Sequence, residues 1–204
     1  MNLSKVTTST AERKKLRHNL RLWMKRATSD EVNQGLTWYH DAMSYSKELS
    51  NAFGVSGETA AGVISALSPN NRWNRNKYDA MQVLQAVRDG KSEDDVKVCT
   101  FSRNKSKAFA IARGDRKILK ESPKTFAFAR NVGECDTNHI TIDKWHLRAC
   151  QSASTKPIKL TESCTAKQYR IIEEETMKVA REYNMTGYAF QAVVWVTIRN
   201  RWNN

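Results

Sequence analysis

The sequence predicts an all-α fold. Apolar residues recur at helical spacing along nearly the whole chain, and Ser/Thr-led tetrads of the helix-opening kind stand at several boundaries. Only one short stretch, His139-Ile140-Thr141-Ile142, alternates in the manner of an extended segment. A chain of 204 residues, 40% apolar and 27% charged, has ordinary globular composition and can bury one sizeable core, or a core with a small lobe. No internal repeat, low-complexity tract or linker interrupts it, so a single domain over 1–204 is expected.

Ser9-Thr10-Ala11-Glu12 opens a basic helix through Arg26, and Thr28-Ser29-Asp30-Glu31 opens a second to about Phe53. The first carries Lys14, Lys15, Arg17, Arg21, Lys25 and Arg26 spread around it, which suits a solvated face as well as a phosphate-binding one. In the second, Trp38, Tyr39, Ala42, Met43, Tyr45, Ser46 and Leu49 fall near helical spacing and predict core packing. Gly54 and Gly57 punctuate the next boundary. Glu58 to Leu67 is then nearly all small or apolar and predicts a buried helix.

The polar stretch from Ser68 to Lys77 follows, with an amphipathic helix from about Asn74 to Arg88. Asn70, Asn71, Arg72, Trp73, Arg75 and Lys77 could present amides, cations and one aromatic to a nucleic-acid backbone and its bases. The same residues equally describe a helix–helix connection stopped by Pro69, with Trp73 folded back on the core. Asp89-Gly90-Lys91 reads as a turn and Ser92 to Val96 as one helical turn. From Ser102 to Lys120 a basic cluster, including Arg103, Lys105 and Lys107, is opposed only by Asp115. The stripe Ala108, Phe109, Ile111, Ala112 turns one face of that helix to a core and should leave the cations outward.

Ser122-Pro123 has the grammar of a helix start, with Ser as N-cap and Pro at the first helical position. Gly133 and the polar stretch after it should end that helix. Gln151 to Ser163 reads as a loop containing Pro157. Thr165-Ala166-Lys167-Gln168 caps a helix to about Tyr183, and Tyr188 to Arg199 is too uniformly apolar for a surface helix and should lie centrally in the core.

Lys plus Arg number 34 against 21 Asp plus Glu, a net charge of +13, which favours a polyanionic partner, nucleic acid before membrane. No apolar run approaches a bilayer span and the N-terminus carries no signal core, so a cytoplasmic protein with no membrane association is expected. Cys99, Cys135, Cys150 and Cys164 lie far apart, and His18, His40, His139 and His146 show no ligand spacing. Buried reduced thiols and no metal are the expectation.

The most informative stretch is Asn138 to Arg148. The extended segment runs into Asp143 at the mouth of a predicted helix, Lys144 to Cys150. There an acid accepts first-turn N–H groups, and the helix dipole favours its ionised form. Residue type alone makes Asp143 an N-cap; its neighbourhood raises a second role.

Three blocks resemble the helix-hairpin-helix (HhH-GPD, endonuclease III-like) DNA glycosylase superfamily, and more closely its small bacteriophage-type members. GVISALSPNNRWNRNKYDA is similar to that family's buried helix, following loop and next helix. FSRNKSKAFAIA is similar to the helix before its hairpin, and HITIDKWHLRAC to the segment holding its catalytic aspartate. Order and spacing agree from about Thr59 to Cys150, roughly half the chain. The resemblance implies a two-lobed helical bundle, with a helical lobe over about 57–135 and a second lobe made by the flanking N- and C-terminal helices. It departs at the hairpin, whose glycines are replaced by Lys120-Glu121-Ser122-Pro123-Lys124-Thr125, and in lacking the cysteines of the iron–sulfur subfamily.

What the resemblance implies is a DNA N-glycosylase acting on double-stranded DNA as a monomer without a cofactor, in the host cytoplasm for a phage-encoded chain. Asp143 would be the catalytic carboxylate. Lys124 would match the nucleophilic lysine of the members that also cleave the strand, although a lysine there can equally bind phosphate or do nothing. Access requires a flipped base, for which Asn70, Asn71, Arg72 and Trp73 are candidates for the strand and the vacated space, with Trp145 and His146 beside the acid, Trp145 being equally a core or a pocket residue. Two other outcomes share these residues: a base-remodelling enzyme on the same scaffold, and a DNA-binding protein without catalysis.

Overall fold

The computed structural model describes residues 1–202, and among them nine α-helices and three short 3-10 turns account for all regular secondary structure. In order these are α1 (Thr10–Arg26), α2 (Ser29–Phe53), α3 (Gly57–Leu67), α4 (Trp73–Arg88), α5 (Ser102–Ala112), α6 (Pro123–Glu134), α7 (Lys144–Gln151), α8 (Ala166–Glu182) and α9 (Gly187–Trp202). The fold is all-α. His139 to Ile142 forms no ladder; it is an irregular extended segment leading into α7.

Local chemistry sets most helix starts. Side-chain oxygens of Ser9, Ser56, Ser122, Asp143 and Thr165 accept first-turn N–H groups of α1, α3, α6, α7 and α8. Thr28 and Glu31 cap α2 reciprocally, the Thr28 hydroxyl accepting from Glu31 N and the Glu31 carboxylate accepting from Thr28 N. The tetrad at Ser9 is only half a box, because Glu12 turns away to accept from Asn2 N and Lys15 Nζ. α6 ends inside the polar stretch expected to stop it, at Cys135 in the left-handed conformation, φ 50°, with no part played by Gly133. Gly133 lies within the helix, where a Cβ would come within 3.1 Å of Ala61.

The chain forms two compact units. One combines residues 1–39 with 137–204; the other is continuous from 40 to 136 and so begins inside α2, earlier than the lobe expected from about residue 57. In the discontinuous unit α1 packs on α7, α8 and α9, and α9 also packs on α7 and α8. Leu16, Leu20 and Trp23 of α1 are fully buried there, and α9 buries Phe190, Val193, Val194 and Ile198, as its uniform apolarity predicts. In the continuous unit α3 is the centre, packed by α4, α5 and α6 and buried from Thr59 to Leu67. Gly62 permits this closeness, since a Cβ there would meet Ile111 at 2.9 Å.

No helix among the described residues is long and apolar enough to cross a membrane.

Candidate active site

The extended segment before Asp143 is held from one side by α8. Tyr169 donates its hydroxyl to Ile140 O at 2.7 Å and accepts from Ile142 N at 3.0 Å, while Glu173 accepts from Ile140 N at 2.9 Å. A strand without a partner strand thus has its backbone groups satisfied by two side chains. Burial pushes the Glu173 carboxyl above the usual range, opposed by the N–H of Ile140.

Asp143 stands at the end of this segment, half-buried. Its Oδ1 accepts from His146 N at 2.8 Å, the capping bond expected of it. Its Oδ2 accepts from the indole Nε1–H of Trp195 at 3.0 Å. Both oxygens are therefore fixed by donors from two helices. The Trp195 ring is itself packed between side chains, with the Arg199 guanidinium 4.3 Å from its centroid and Trp38 tilted against it at 5.9 Å. A carboxylate, two indoles and a guanidinium form one cluster on α2, α7 and α9.

Trp145 and His146, expected as pocket groups beside the acid, are committed elsewhere. His146 is fully buried in the unit's core and corrects that expectation. The hydroxyl proton of Thr176 goes to Ile172 O, so Thr176 Oγ1 accepts from His146 Nε2 at 3.0 Å, which leaves Nδ1 as the unprotonated nitrogen. Burial lowers the His146 pKa to about 3, and the ring is neutral at pH 7. Trp145 stacks under Arg148 at 4.4 Å and edge-on to Trp202 at 6.2 Å, a cluster whose Trp202 N–H donates to Ser154 O and so fastens the loop after α7.

The remaining predicted residues lie in the continuous unit, and two of them, Asn71 and Arg75, meet at a side chain that the sequence did not single out. Asp79, fully buried, accepts from Asn71 Nδ2 at 2.9 Å, Arg75 Nε at 2.7 Å and Cys99 N at 2.8 Å, and so ties the loop after α3 to the segment before α5. Asn70 is exposed with φ 58°, and Arg72 is exposed at the start of α4. Trp73 meets Tyr45 edge-on at 6.4 Å, and Lys77 lies over the same Tyr45 ring at 5.4 Å. The loop is thus partly a packed connection, at Trp73, and partly an outward polar surface, at Asn70 and Arg72.

Arg103 is exposed. Lys105 is not an outward cation: its Nζ donates to Glu93 O at 2.8 Å and closes the 3-10 turn at Glu93–Asp95. Lys107 pairs with Glu121 at 2.8 Å. Lys124 is the second residue of α6, half-buried and without a hydrogen-bond or ion-pair partner among the described residues. Just before it, the Ser122 hydroxyl accepts from Thr125 N, so the glycine-free hairpin position is an ordinary side-chain-capped helix start. Among the described residues no group of three or more His, Cys, Asp or Glu is placed to hold a metal ion.

A family model described as "Family of unknown function (DUF7178)" matches residues 1–202. No curated protein and no solved structure matches the chain.

Proposed function

We propose that this chain, which belongs to the DUF7178 family, is a DNA-binding base-excision enzyme that hydrolyses the N-glycosidic bond of a flipped damaged or modified base. The observation that carries the reading is the state of Asp143: a carboxylate at the edge of solvent with both oxygens fixed, Oδ1 by His146 N–H and Oδ2 by the Trp195 indole. The resemblance of HITIDKWHLRAC to a glycosylase aspartate segment and the net charge of +13 support it.

Breaking a glycosidic bond builds positive charge on the deoxyribose. The bonding pair leaves with the base, which takes up a proton, and water oxygen bonds to the sugar carbon. A carboxylate whose position is already fixed needs no reorganisation to stabilise that charge and to accept the proton water loses. Fixing by donors on two helices is what such preorganisation requires. The Trp195 indole that holds Oδ2 is itself packed against Trp38, so one side of the carboxylate faces aromatic surface in place of water, which strengthens its interaction with a developing positive charge.

The test is Asp143→Asn assayed on a panel of modified duplexes, with released bases identified by mass. Base release should fall by about 100-fold or more, the scale of losing a positioned acid–base group, with duplex binding nearly unchanged. Wild-type protein that binds DNA but releases or alters no base in the panel leaves a non-catalytic binder, and an altered base retained in the strand indicates remodelling. A borohydride-trapped covalent DNA adduct that Lys124→Ala abolishes would add a lyase step; no adduct leaves hydrolysis alone.

A further inference from the structure

Arg199 is a half-buried guanidinium that makes no side-chain hydrogen bond or ion pair with another described residue. The other arginine side chains lacking such a partner, Arg72, Arg103, Arg113, Arg170 and Arg181, are all exposed. Partial burial withdraws water from a permanent charge, and a protein ordinarily compensates with a carboxylate or carbonyl. Arg201, two residues on, illustrates the ordinary case, paired to Glu31 and donating to Arg26 O. Arg199 instead sits over the Trp195 ring, its guanidinium carbon 4.3 Å from the centroid.

That stacking has a specific consequence. An indole face holds the guanidinium plane and restricts its rotamers while leaving the N–H groups at its edge unspent. The same indole, through its edge, holds Asp143 Oδ2 at 3.0 Å. One rigid ring therefore sets the position of a carboxylate and of an uncommitted cation together, and the two do not neutralise each other by an ion pair. In a DNA strand the phosphodiester is the anion nearest the sugar on which a glycosidic bond is broken, and a fork of guanidinium donors matches its oxygens.

We infer that Arg199 is a phosphate-binding arm, and that Trp195 is the positioning residue that orients it to hold the phosphodiester flanking the nucleotide facing Asp143. The inference rests on the base-excision reading and deepens it by assigning the backbone contact of the same site.

The experiment is a salt series of binding by fluorescence anisotropy, using the full chain and a short mixed-sequence duplex with one tetrahydrofuran abasic analogue. This probe needs no knowledge of the base. Arg199→Gln should weaken binding by roughly tenfold or more, as expected for a lost charge-assisted bond, and should reduce the log–log salt slope by about 0.9, one phosphate contact. Arg199→Lys keeps the charge without the flat fork, so it should retain the wild-type slope with a smaller loss of affinity. Trp195→Phe keeps an aromatic face and removes the N–H on Asp143; it should bind with near wild-type slope yet release base more slowly. If wild type binds the duplex and Arg199→Gln matches it in affinity and slope, the arm is disproved while the base-excision reading survives. If wild type shows no salt-dependent binding to this duplex, the base-excision reading falls and the arm with it.

Discussion

Tyr169 holds the segment that delivers Asp143 with one hydroxyl used twice, towards Ile140 O and from Ile142 N. Tyr169→Phe would leave a buried donor and a buried acceptor unmet. We expect a loss of about 1–3 kcal/mol, the cost of stranding such groups, read from the urea midpoint at unchanged slope. His146 makes a different prediction, one of pH. Its folded pKa is depressed to about 3 from an ordinary 6.5, so between those values the unfolded chain binds a proton that the native state refuses. Stability is then complete above about pH 6.5 and falls as pH drops towards 3, with a slope approaching ~1.4 kcal/mol per pH unit for one proton. His146→Gln should remove that component of the slope in urea titrations between pH 6.5 and 4.5. Below that range the carboxylates of Glu31 and Glu175, held under their ordinary pKa by Arg201, and by Lys178 and Arg17, add losses of their own on protonation.

Helix starts were legible because cap chemistry is local: Ser9, Thr28, Ser122, Asp143 and Thr165 act within three residues of themselves. Partnerships between elements were not. Trp195 meets Asp143 across 52 positions, and periodicity places it in an apolar run without saying which face its N–H seeks. The available signal was the residue type, since a buried indole in a run of aliphatics must find an acceptor. Lys105 looked like surface charge because its partners are main-chain carbonyls, which no sequence pattern marks. Likewise the Trp73 loop was legible as polar, whereas the Asp79 carboxylate that folds it was hidden in an amphipathic helix. Element packing also carries a sharp prediction at Gly35 of α2. A Cβ there would sit 2.5 Å from the backbone of Val193 in α9. Gly35→Ala should cost about 1–3 kcal/mol or more, as overpacking does when no flexible side chain can yield, seen as a lowered Tm.

At the scale of the molecule, α3 and the helices α4, α5 and α6 that pack on it all lie between residues 40 and 136. A fragment of those residues should therefore melt cooperatively by circular dichroism. A fragment of residues 1–136 should gain little from α1, because α7, α8 and α9, on which α1 packs, belong to the missing third of the chain. A single steep transition for 1–136 that is lost on deleting α1 would contradict this division. Some of the cations read from composition are paired internally, as in Arg17 with Glu175, Arg21 with Glu182 and Arg130 with Glu134, which leaves the net charge unchanged but fixes where it is not available. A count of charges is accordingly a weaker guide to where an anion binds than the surroundings of each cation.

The order of synthesis turns this discontinuous core into a waiting problem. A ribosome adding about 5–20 residues per second finishes α9 on the order of ten seconds after α1 has been made. Until α7 is made the apolar stripe of α1 lacks the helices it packs on, and its surface is complete only with α9, while the inserted helices α3 to α6 already have theirs. Within this chain α1 thus waits longest for its partners and has the greatest need of a holding chaperone, and α9, which follows all eight other described helices, is the one that completes the cluster around Asp143.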